Sequence, residues 1–96
     1  MATLHIEHQI TDLPTWLGAF NQFTEARKAA GVIAQRIHQP SDDEKYIYVQ
    51  LDFEQEEQAA SFKTFLETVI WKSPEASPAL AGQPTARLLT AVPNDA

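Results

Sequence analysis

The spacing of apolar residues along this chain changes period in a fixed order: alternating, helical, alternating, alternating, helical, alternating. Alternation sends side chains to the two faces of a strand, while recurrence every three or four residues gathers them on one side of a helix. The order is that of an α+β domain of βαββαβ type, in which a four-stranded antiparallel sheet carries two helices on one face. The opposite face is then bare unless a second chain covers it, so the pattern predicts a homodimer together with a fold. A length of 96 residues predicts one domain over 1–96, and a chain of that size buries only about two thirds of its unfolded surface.

Individual residues mark the elements. Leu4, Ile6, His8 and Ile10 alternate with His5, Glu7 and Gln9 in the first strand. Asp12 is placed as an N-cap and Pro14 in the first turn of a helix, where Leu13, Trp16, Leu17, Phe20 and Phe23 share a side; Gly31 stops it after Ala30. Residues 32–39 and 45–53 alternate again around Pro40-Ser41-Asp42-Asp43-Glu44, the turn of a hairpin. Acidic residues from Glu54 open a second helix, whose apolar side is Ala59, Phe62, Phe65, Leu66, Val69 and Ile70, reaching about Trp71. Pro74 and Pro78 stop it. Residues 72–84 read as a long connection with one helical turn at Pro78-Ala79-Leu80-Ala81, residues 85–92 as the last strand, and 93–96 as a frayed tail.

Composition removes several function classes. The chain has no cysteine, which excludes disulfides, thiol nucleophiles and cysteine-ligated metals. A net charge of −6 with scattered Lys and Arg offers no basic stripe for phosphates, so neither nucleic acid nor an anionic membrane is an expected partner. The start Met1-Ala2-Thr3-Leu4-His5-Ile6-Glu7-His8 lacks the basic and apolar regions of a secretory signal, and no apolar run has transmembrane length. A cytoplasmic protein is the expectation. Gly18, Gly31 and Gly82 are isolated and form no phosphate loop, and no serine lies in a nucleophile elbow. No cofactor is expected.

The two faces of the sheet divide the candidate residues. If the hairpin pairs Arg36 with Tyr48 and His38 with Tyr46, parity sends Ile37 and Ile47 to the helices, and His5, Glu7, Arg36, His38, Tyr46, Tyr48 and Gln50 to the open face, with Arg87 added if the last strand turns Leu88 inward. That face reads as solvated or buried in a dimer, or as a ligand floor on which the two arginines receive an anion. His5, Glu7 and His38 do not read as a metal site, because the first two strands flank the third and their backbones lie about 10 Å apart. His8 falls on the core side near Trp16, Phe20 and Trp71, with Phe62 from the second helix. These residues are either plain core or the walls of a small aromatic pocket in which His8 is the candidate catalytic base.

The ordered set His8-Gln9-Ile10-Thr11-Asp12, Trp16, Phe20, Arg27, Ala30-Gly31-Val32, then Tyr48-Val49-Gln50-Leu51-Asp52-Phe53, Ala60-Ser61-Phe62, Gly82-Gln83-Pro84 and Arg87 resembles small proteins of the antibiotic biosynthesis monooxygenase family. The resemblance implies a ferredoxin-like subunit whose sheet packs on its twin's to build a dimeric α/β barrel. It also implies a cavity between sheet and helices, which in that superfamily serves cofactor-independent monooxygenases, polyketide cyclases and haem-degrading enzymes. The haem-degrading members pair a first-strand asparagine with a tryptophan and a later histidine; here the first strand has no asparagine and no histidine follows Trp71. The resemblance thus implies a protein acting on a small aromatic or polyketide-like molecule, with a ligand-binding or stress-response module as the alternative.

Overall fold

The computed structural model describes residues 1–95; Ala96, at the end of the expected tail, lies outside the described residues. Strand β1 (Ala2–Ile10) is followed by helices α1 (Leu13–Gln22) and α2 (Thr24–Ala30), strands β2 (Val32–His38) and β3 (Tyr46–Phe53), helix α3 (Glu56–Phe65) and strand β4 (Leu80–Thr90). The strands form one antiparallel sheet in the order β2-β3-β1-β4. This is the α+β, ferredoxin-like arrangement that the periodicity predicts.

Alternation fixes which face meets the helices. Leu4, Ile6 and Ile10 of β1 and Ile47, Val49, Leu51 and Phe53 of β3 are buried against Trp16, Ala59, Phe62, Leu66 and Ile70. The two middle strands thus carry most of the core, since each has a neighbour on both sides and a layer of helices above it. Asp12 caps α1 by accepting a 2.8 Å bond from the Thr15 N–H, and Pro14 lies in the first turn.

Four local expectations are corrected. The first helix is not continuous to Ala30: it breaks at Phe23 (φ −102°, ψ 17°). There the Phe20 carbonyl accepts from the Phe23 N–H at 3.2 Å and from Arg27 Nη1 at 2.6 Å, a side-chain bond that periodicity cannot encode. The second helix does not run evenly to Trp71 either. Residues Leu66–Ile70 form a π-helical turn closed by the Trp71 N–H on the Leu66 carbonyl at 2.8 Å. The hairpin register is displaced by two residues, Arg36 facing Gln50, Ile37 facing Val49 and His38 facing Tyr48, which preserves parity and hence both faces. Finally, β4 begins at Leu80 rather than at Thr85, and no helical turn forms at 78–81. Leu80 and Ala81 pair with Ile10 and Gln9; the register then shifts, and Thr85 pairs with Glu7. Gly82 (φ +71°) and Pro84 lie in the irregular stretch, where one residue tolerates the left-handed backbone and the other lacks a ladder donor.

Candidate functional site

That irregularity in β4 lies beside His8, which has no β4 partner in the register. On the helix side of His8 the sheet, the α1–α2 break and the π-helical turn diverge around a cavity of about 90 Å³. His8, Trp16, Phe20, Phe62 and Trp71, the pocket residues proposed from sequence, all line it. They arrive on four different segments. His8 is the core-side residue of β1, Trp16 and Phe20 share a side of α1, Phe62 comes from α3, and Trp71 follows the π-helical turn. A π-helical turn rotates the residues after it relative to an α-helical continuation, and here it carries Ile70 and Trp71 to the cavity wall.

The walls are mainly aromatic and aliphatic. Trp16 stacks on Phe20 with centroids 4.8 Å apart, and Trp71 stands edge-on to His8 at 6.5 Å. Against this apolar background His8 is 5% exposed. Its Nδ1 lies 2.8 Å from the Gln9 carbonyl, so Nδ1 carries the hydrogen and donates it. In the neutral ring Nε2 is then an acceptor, and it has no protein partner among the described residues. Burial lowers the His8 pKa from its ordinary value, with the bond to Gln9 opposing. The imidazole is therefore neutral at pH 7 and able to take a proton.

Arg27 is the functional-looking residue that sequence reasoning did not single out as a site. It lies on α2, lines the cavity and is 4% exposed. Its Nε donates to Gln35 Oε1 at 3.1 Å, Nη1 to the Phe20 carbonyl at 2.6 Å and Nη2 to Thr24 Oγ1 at 3.3 Å, while its guanidinium sits 3.6 Å above the Phe20 ring centroid. None of these partners is charged. Burial lowers its pKa, with no carboxylate opposing.

The open face carries a different chemistry. His5, Glu7, Arg36, His38, Tyr46, Tyr48, Gln50 and Arg87 share it, as parity predicts, together with Thr3 and Asp52. Arg36 forks onto Asp52 at 2.8 and 2.9 Å and donates through Nε to Gln50 Oε1 at 3.2 Å. With its oxygen so occupied, the Gln50 amide points Nε2 at His5 Nδ1 (3.2 Å), which leaves the hydrogen on His5 Nε2 for Glu7 Oε2 (2.8 Å). Tyr46 donates its hydroxyl to Glu7 Oε1 at 3.1 Å, and Thr3 to Asp52 Oδ1 at 2.8 Å. The result is one chain of seven side chains crossing three strands.

The Arg36 guanidinium holds the Asp52 carboxyl below the usual range, against the opposing effect of burial; the His5 bond does the same for Glu7, against burial and with help from Tyr46. Burial and the Glu7 carboxylate raise the Tyr46 pKa. Arg36 is thus already neutralised, which removes it from the anion-receiving floor that the sequence left open. Among the described residues no group of three or more His, Asp or Glu could hold a metal ion, and no helix is long and apolar enough to cross a membrane.

No family model matches the sequence, and no curated protein matches it. Solved structures do match the fold. One is an antibiotic biosynthesis monooxygenase, 14% identical over 97% of this chain and 100% of that one, with a TM-score of 0.66. Another is a dimeric ferredoxin-like protein from an uncultured marine organism, 12% identical over 100% and 99% of the two chains, with a TM-score of 0.67. A third is an uncharacterised NIPSNAP domain protein from Burkholderia xenovorans, 14% identical over 96% and 95%, with a TM-score of 0.61. At such identities the likeness is one of fold, the one the resemblance implies.

Proposed function

We propose that the chain works as a homodimer in which each subunit holds a small aromatic or polyketide-like molecule between its sheet and its helices, with His8 as the base in a cofactor-independent oxidation or rearrangement. The observation that carries this reading is the apolar cavity lined by both tryptophans of the chain and by His8, whose Nε2 has no protein partner among the described residues. A volume of about 90 Å³ is well below the roughly 300–1,000 Å³ of pockets for drug-sized ligands, and suits an occupant of about one ring.

The chemistry follows from the groups available. Nε2 of His8 takes a proton from an acidic hydroxyl or carbon of the ligand, while the Gln9 carbonyl holds the ring and steadies the imidazolium through Nδ1–H. For a phenolic substrate, the anion so formed supplies electrons to dioxygen. One oxygen atom stays as a quinone carbonyl, the other leaves as water, and the two electrons beyond those shared in the new bond come from the substrate. The dimer reading is supported by solved proteins of this fold described as dimeric. Pairing through the open face would leave the cavity, on the helix side, free in both subunits.

Titration with benzamide, a neutral one-ring probe, while following tryptophan fluorescence tests the pocket, because Trp16 and Trp71 are the only tryptophans. The expected result is saturable quenching that is lost in Ala19→Phe, which places a ring where Ala19 lines the cavity. Failure of both benzamide and its charged analogue benzoate to quench, or quenching unchanged in the variant, would remove the pocket. Once a substrate is in hand, His8→Ala should abolish turnover and leave the dimer intact; unchanged turnover would exclude His8 as the base.

A further inference from the structure

A buried charge is costly unless something compensates it. Removal of a guanidinium from water is strongly opposed, which is why such groups are found paired with carboxylates or phosphates. Arg36 on the open face obeys this rule through Asp52. Arg27 does not. It is 4% exposed, no carboxylate among the described residues lies within ion-pair distance of it, and its three hydrogen bonds go to two neutral side chains and one carbonyl. Glu25, on the same short helix, pairs with Lys28 at the exposed surface.

The contacts that Arg27 makes hold it still and leave part of it open. A guanidinium has five N–H groups. Nε–H goes to Gln35 of β2, one hydrogen of Nη1 to the Phe20 carbonyl and one of Nη2 to Thr24, so each terminal nitrogen keeps one donor free. The remaining hydrogens on Nη1 and Nη2 can donate to the oxygens of a carboxylate. The flat face rests on Phe20, which in turn stacks with Trp16, so the guanidinium is fixed at the end of an aromatic wall. Fixing the donor before the ligand arrives lowers the entropy lost on binding.

We propose that Arg27 is the anion subsite of the cavity and that the natural ligand is a small aromatic acid, its ring against Trp16, Phe20 and Trp71 and its carboxylate on the open donors of Arg27. This inference rests on the reading of the cavity as a ligand pocket and narrows that reading to one chemical class. It also gives the ligand a direction. An acid anchored at Arg27 presents the rest of its ring to the other cavity groups, among which His8 is the titratable one. The net charge of −6 repels anions in general, so a preference for acids over neutral aromatics has to come from a local cation.

The test compares benzoate with benzamide, which share shape and differ in charge, on the full chain by tryptophan fluorescence. Benzoate is expected to bind at least tenfold more tightly than benzamide. Arg27→Gln should abolish that preference by weakening benzoate binding far more than benzamide binding, and Arg27→Lys, which keeps the charge and loses the planar guanidinium, should retain part of it. Equal affinity of the unaltered chain for the two probes would overturn the inference and leave the pocket standing. Binding of neither probe would overturn both. Should Arg27→Gln fail to fold, the ratio measured on the unaltered chain still decides, with Arg27→Lys as the second variant. A tenfold preference that survives in a folded Arg27→Gln would assign the anion site elsewhere and overturn the proposal.

Discussion

His8 is a core position occupied by a titratable group, and its burial makes stability depend on pH. The unfolded imidazole titrates near 6.5, and in the folded chain burial lowers the value. Between the two values the unfolded chain binds more protons, so the neutral ring's contribution is complete above about pH 6.5 and is lost as pH falls through the lowered folded pKa. Urea denaturation at stepped pH should show stability falling from about pH 6.5 toward pH 5, with His8→Gln flattening that slope; an unchanged slope would place the dependence on another group. Catalysis has the same sign, since a base must be unprotonated, and turnover should fall on the acid side with a midpoint below 6.5. The position of His8 was legible because alternation along β1 fixes its face whatever the tertiary contacts are. The role of Arg27 was not. A cation followed directly by Lys28 reads as a solvated helix residue, and its burial depends on Phe20 of α1 and Gln35 of β2, partners that no local period encodes.

At the scale of elements, the irregularities gather where the cavity is: the break at Phe23, the π-helical turn before Trp71 and the irregular stretch of β4 beside His8. A sequence with regular periods hides each of them, because each depends on a competing hydrogen bond or a shifted register rather than on the spacing of apolar residues. What was legible was the identity of the elements, from Asp12 and Pro14 at the start of α1 to Gly31 at the end of α2. Gly31 has φ +102°, and a Cβ there would come within 2.5 Å of the Gln58 amide nitrogen. Gln58 Oε1 accepts from the Gln55 N–H at the start of α3, so one glycine keeps two helix ends compatible. Gly31→Ala should therefore cost about 1–2 kcal/mol from the backbone conformation alone, read as a lower urea midpoint with an unchanged slope. Adding Gln58→Ala should relieve only the contact. Full recovery in the double variant would show that the clash, and not the left-handed backbone, set the cost.

For the whole molecule the sheet has two faces with separate tasks. Parity alone assigned His5, Glu7, Arg36, Tyr46 and Tyr48 to the open face, and a hairpin displaced by two residues left that assignment intact. The hydrogen-bond chain joining them was not legible, because it follows from cross-strand neighbours that the register decides. The lowered pKa values of Glu7 and Asp52 give this face an acid limit. Their stabilising effect is present above the ordinary carboxylate range, near 4, and disappears as pH falls through the lowered values. Urea denaturation should therefore show the folded chain losing stability below about pH 4, and Asp52→Asn should lower stability at neutral pH and make it less sensitive to acid. A stability indifferent to both would place the acid limit on other carboxylates. A dimer joined by its polar sheet face, with a ligand pocket on the helix side of each subunit, is tested in both parts together by native mass spectrometry of protein purified from its own source organism. The prediction is the mass of two 10.7-kDa chains plus that of a retained small acid; a bare monomer at micromolar concentration would contradict it.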